Sequence, residues 1–137
     1  MPDPTTGPSV PGLDAEDAKL VVLARAARGR AYAPHTGVAE GAAVRDTDGR
    51  TYAAATVEHA EERLSTSAVR GALSAFASSG ARALEAAVVV TDRGVLCADD
   101  VALLGEFGGA TTVSVAGADG VVRVTTHVAA LLAGSSA

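Results

Sequence analysis

The segment ALEAAVVVTD ends in an unbroken β-branched run, Val88, Val89 and Val90, closed by Thr91 and Asp92. A run with no polar face to offer water suits a strand buried inside a sheet. That requirement constrains the chain more than any other feature, because such a strand must be covered. The material for covering it is unusual. The sequence is 48% hydrophobic but only 3% aromatic, so Ala, Val and Leu do the packing, and close helix–sheet contacts are favoured.

The rest of the chain supplies those layers. Residues 14–29 read as a helix: Asp14 is placed to cap it, Glu16 and Asp17 suit its first turn, and Leu20, Leu23, Ala24 and Ala27 fall on one face. Pro34 and Gly37 break the chain in YAPHTG. Residues 38–58 read as a hairpin whose turn is DTDG, residues 46–49, with Asp-Gly as the signal. A polar stretch leads into a helix over 66–78, stopped at Gly80. After the buried strand, CADDVALLGEFG reads as a short helix, ATTVSVAG and VVRVTT as strands about an ADG turn, and HVAALLAG as a closing helix. The order α-β-β-α-β-α-β-β-α predicts an α/β fold, a three-layer α/β/α sandwich on a five-stranded mixed sheet.

With 137 residues the chain fits one domain. Residues 1–12, rich in Pro, Gly and Thr, read as a flexible leader, and residues 13–137 as the domain. The leader has no apolar run and reads as neither a signal peptide nor a membrane span. A net charge of −5 argues against nucleic acid as a partner, since phosphates would go unneutralised. The single cysteine, Cys97, rules out an internal disulfide, and the cytoplasm is the expected location.

Four segments, in this order, resemble the homotetrameric cytidine deaminases. AYAPHTGVAEGAAV resembles that family's Tyr-x-Pro-Tyr-Ser-x-Phe-x-Val-Gly-Ala-Ala strand. TVEHAEERLSTSAVRGAL resembles its Asn-x-Glu-Asn and Cys-Ala-Glu-Arg segment. LCADDVALLGEFG resembles Pro-Cys-x-x-Cys-Arg-Gln followed by Leu-x-Glu-Phe, and GADGVVRVTTHVAALLAGSS the closing strand and helix. The resemblance implies the family's fold, a homotetramer (or dimer), and active sites completed by neighbouring subunits. Glu62 and the first turns of the second helix would then lie near interfaces.

The chain departs from the family where its chemistry resides. Ser67 stands at one zinc-ligand cysteine, Cys97 keeps the second, and Asp100 stands at the third. Val69 replaces the glutamate that moves protons. A catalytic zinc needs three protein ligands and an activated water, and nucleobase deamination needs the glutamate as well. The expectation is therefore no metal and no cofactor. The implied nucleoside pocket is altered too. Thr56 replaces the ribose-binding Asn while Glu58 is kept, Val38 replaces the Phe that packs on the base, Glu40 replaces a Val, and Glu62 matches an active-site Tyr. His35 replaces the family's Tyr in the first motif.

Each candidate has a plain structural alternative. Glu40 shares a strand side with Val38 and is costly to bury unless paired or used. It reads as a general base or cation anchor, or as half of a salt bridge with an arginine such as Arg63 or Arg70. Glu58, at a strand end, could grip a hydroxyl or ammonium, or cap the following segment. Cys97 opens a helix, where backbone N–H groups lower a thiol pKa and Asp99 and Asp100 raise it, so it is either a nucleophile or a buried inert residue. His35 and His59 could shuttle protons. Ser67 could hydrogen-bond a ligand or simply cap its helix.

The expected function is a zinc-independent, repurposed enzyme doing acid/base chemistry (cyclisation, isomerisation or elimination) on a small polar or cationic metabolite. Glu40, Glu58 and Cys97 would be catalytic, with His35, Val38, Thr56, Glu62 and Ser67 binding the substrate. The alternatives are a non-catalytic ligand-binding pseudoenzyme and a residual zinc-dependent nucleoside deaminase.

Overall fold

The computed structural model describes residues 14–135; the leader expected at 1–12 lies outside them. Helix α1 spans Ala15–Arg28, and strands β1 and β2 span Gly41–Asp46 and Thr51–Ala55. After a single 3-10 turn, Glu62–Leu64, come α2 (Ala68–Ser78), β3 (Leu84–Val90), α3 (Ala98–Glu106), β4 (Thr112–Ala116), β5 (Val122–His127) and α4 (Val128–Ser135). The five strands form one mixed sheet in the order β2-β1-β3-β4-β5. Its pairings are antiparallel except for β3 with β4.

The valine run lies at the centre of that sheet, and both its faces are covered. Val88 and Val90 pack with Leu20, Val21 and Ala24 of α1. Val89, pointing the other way, packs with Val69, Leu73 and Phe76 of α2 and with Leu104 of α3. Small residues let the layers approach closely. At Gly41, an added Cβ would lie 2.1 Å from the Ala24 carbonyl oxygen, so only glycine fits where α1 crosses β1. Phe76 meets Tyr52 on one side and Phe107 on the other, both edge to face, concentrating three of the four aromatic residues in one spot.

Local signals act as expected. Asp14 accepts from the Asp17 N–H and caps α1. Asp46 closes the hairpin turn by accepting from the N–H groups of Asp48 and Arg50, both at 2.9 Å, and Gly49 takes φ 89°. Three details differ from the sequence reading. On α1, Val21 is buried and Leu23 is 37% exposed. Strand β2 stops at Ala55, so Glu58 lies beyond it. His127 ends β5, and α4 begins one residue later. Among the described residues, no helix is long and apolar enough to cross a membrane.

Candidate functional site

Strand β1 runs antiparallel to both neighbours, so its first residue, Gly41, faces the last residues of β2 and β3, Ala55 and Val90. The chain entering β1 and the segments leaving β2 and β3 therefore meet at one end of the sheet. Open α/β sheets bind ligands outside the carboxyl ends of their strands. A cavity of about 540 Å³ lies here. His35, Val38, Glu40, Thr56, Glu58, Glu62 and Ser67 all line it. Cys97 does not. The cavity also takes His59 and, unforeseen from sequence as a lining residue, Arg93.

Glu40 is only 7% exposed, and its charge is paired. Its partner is Arg93, neither Arg63 nor Arg70. Arg93 Nε donates to Oε2 at 3.1 Å and Nη2 to Oε1 at 2.9 Å, and the Thr91 hydroxyl also donates to Oε2. This two-pronged geometry is the strong form of a charge-assisted pair. Thr56 is occupied as well: its hydroxyl accepts from the Glu40 N–H at 3.1 Å, fastening the end of β2 to the start of β1.

Glu58 is held differently, by backbone. Oε1 accepts from the N–H groups of His35 (2.9 Å) and Thr36 (3.1 Å), while Oε2 accepts from the Thr36 hydroxyl. The Thr36 hydroxyl, joined by those two N–H groups, outweighs desolvation and holds the Glu58 carboxyl below the usual glutamate range. Tyr32 and Val57 form a parallel bridge just before it, and Val57 and Thr66 an antiparallel one. Residues 57–66 are thus pinned at the neck into a loop that presents His59 and Glu62 to the cavity. Neither side chain makes a hydrogen bond or ion pair among the described residues.

The third wall is where α2 begins, with the start of α3 behind it. Ser67 caps α2, its hydroxyl accepting from the Arg70 N–H at 3.0 Å. The same hydroxyl donates to Asp100 Oδ1 at 2.7 Å. Asp100 lies in the first turn of α3 and is 5% exposed. Cys97 is the N-cap of α3 and is exposed, contrary to a buried inert cysteine. Desolvation of its thiol raises its pKa, and the Asp100 carboxylate adds to that rise against the opposing pull of backbone N–H groups. Such a thiol is protonated at neutral pH and a weak nucleophile. Val69 is 2% exposed in the main core, away from the cavity lining.

These residues do not fit a zinc ion. Among the described residues, no three His, Cys, Asp or Glu side chains cluster as a metal-binding set. Ser67, the third neighbour of Cys97 and Asp100, is a neutral hydroxyl already engaged in two hydrogen bonds.

A mixed sheet between helical layers, with a polar cavity where the N-terminus of α2 meets the strand ends, defines the deaminase-like class of α/β/α domains. Residues 13–120 match the family model described as cytidine deaminase-like. The chain belongs to that family. It is similar in structure to the cytidine deaminase of Burkholderia pseudomallei (30% identity, TM-score 0.77, covering 82% of this chain and 93% of that one). It is similar also to that of Mycobacterium leprae (30% identity, TM-score 0.71, covering 87% and 98%). The cytidine deaminase of Mycobacterium tuberculosis aligns at 25% identity with a TM-score of 0.73, covering 87% and 95%. A search of curated proteins gives no match.

Proposed function

We propose that this chain is a zinc-independent member of its family that binds a small polar metabolite, carrying an ammonium or clustered hydroxyl groups, in the cavity at the strand ends. The observation that carries this reading is the Ser67 hydroxyl donating to Asp100 at 2.7 Å, at the corner where the resemblance places zinc ligands. Val69, at the position of the family's glutamate, supports it by packing in the core.

The charge of the lining supports the ligand class. Arg93 offsets Glu40, which leaves Glu58 and Glu62 as carboxylates facing the cavity without a Lys or Arg partner among the described residues. Glu58 stays ionised at neutral pH and suits a hydrogen-bond acceptor better than a base. Glu40, fixed by Arg93 and Thr91, serves as a rigid wall in this reading. Cys97, outside the lining and held as a thiol, has no part in it.

A second reading, acid/base turnover of the same ligand, is favoured by one observation: His59 and Glu62 line the cavity with side chains that have no partner among the described residues. These two would move the proton. Self-association into a homotetramer or dimer belongs to both readings, since Tyr32, Val57 and Leu64 leave apolar surface exposed.

The test pairs metal analysis of the purified protein with thermal shift against a panel of amines, amino acids, polyols and cytidine. The expected result is no stoichiometric zinc, no deamination of cytidine, and stabilisation by an amine or polyol that Glu62→Gln weakens about tenfold. Stoichiometric zinc with cytidine turnover overturns the proposal.

A further inference from the structure

We propose that the Ser67–Asp100 hydrogen bond replaces a metal as the tie between the tips of α2 and α3. The inference rests on the zinc-independent reading and adds a structural role to it. The N-termini of α2 and α3 converge on a half-buried corner, where the resemblance places zinc ligands. Here one hydroxyl joins them. Ser67 Oγ accepts from the Arg70 N–H, closing α2, and donates to Asp100, in the first turn of α3. Asp100 is 5% exposed and has no Lys or Arg partner among the described residues. Its charge is stabilised by this short hydroxyl bond and by the N-terminal ends of both helices, which favour an anion. Behind the bond, Ala68 and Val69 of α2 and Leu104 of α3 belong to one core cluster, so the tie joins elements already packed together. Losing either partner leaves the other stranded: an anion deprived of its donor, or a hydroxyl aimed at a void.

The inference is tested first by a double-mutant cycle in metal-free protein. Ser67→Ala and Asp100→Ala should each raise the unfolding constant by roughly ten- to a hundredfold, and the double variant should lose clearly less than the sum of the two, since only the α2 cap that Ser67→Ala removes is independent of Asp100. Additive losses overturn the proposal. If Asp100→Ala fails to fold, Asp100→Asn takes its place in the cycle, and losses additive with those of Ser67→Ala overturn the tie. The reverse experiment rebuilds a metal set. Ser67→Cys with Asp100→Cys, beside the native Cys97, should be destabilised when metal-free in reductant. It should recover on binding one Co²⁺ with thiolate-to-cobalt absorption. A double variant that binds no Co²⁺ overturns the geometric equivalence. Stoichiometric zinc in the native protein would sink the zinc-independent reading itself, whereas an additive cycle in zinc-free protein sinks only this one.

Discussion

The strand-end wall of the cavity and the helix tips beside it handle a buried carboxylate in different ways. At the strand ends, Glu40 is met by the two-pronged guanidinium of Arg93, and Glu58 by two backbone N–H groups and a hydroxyl. At the helix tips, Asp100 is met by the Ser67 hydroxyl, with the Cys97 thiol beside it. The first wall spends strong donors on its anions and keeps a polar surface towards the cavity. The second spends a weak, neutral donor, which suffices because two helix ends share the charge. The difference teaches that the polar lining and the helix-tip corner are independent: the two rest on separate sets of hydrogen bonds.

That separation can be broken most forcefully at Val69. Glu in its place would put an unpaired carboxylate in the core, at a cost of about 3–5 kcal/mol, with the melting temperature falling by roughly 10–20 °C. A Val69→Glu variant that melts like the native protein would show that this side chain reaches the cavity. The strand-end wall gives the next largest effect, and it is asymmetric. Arg93→Gln strands the buried partner and should cost about 3 kcal/mol, while Glu40→Gln leaves a half-exposed arginine that water can solvate and should cost about 1 kcal/mol. Equal losses by chemical denaturation would mean that Glu40 is less enclosed than its 7% exposure indicates.

Glu58 sharpens the comparison through pH. Its carboxyl titrates below the ordinary glutamate value in the folded chain, so its stabilisation is complete above that value and is lost as pH falls through the folded one. Glu58→Gln should flatten the acid limb of melting temperature against pH below the ordinary glutamate value, and an unchanged limb would contradict the lowered carboxyl. The smallest effect is at the helix tips. Cys97 should react with iodoacetamide at pH 7 several-fold more slowly than a free thiol, and Asp100→Asn should partly restore the rate, because the Asp100 charge helps hold the thiol protonated. A native rate above that of a free thiol would contradict the raised pKa.

Much of the fold was legible. The valine run marked the central strand, Asp14 and Gly49 marked a helix start and a turn, and the element order predicted the mixed five-stranded sheet. The site was legible in part. The resemblance placed seven lining residues, but Arg93 was missed as a lining residue and as the partner of Glu40, because 53 positions separate the two. They meet only because β1 lies beside β3, a pairing that no local pattern encodes. Cys97 was expected either as a nucleophile or buried, and it lies at the exposed tip of α3 outside the lining.

Sequence alone determined the layers and the identities that count at the corner: a hydroxyl at 67, a valine at 69 and a carboxylate at 100. Periodicity and side-chain chemistry are local, and a valine, which can neither ligate nor carry a proton, cannot do so in any fold. Tertiary structure decided which charges cancel and which face the cavity. Ion pairing falls off within a few ångströms, and only the packed sheet brings Glu40 to Arg93 and Ser67 to Asp100.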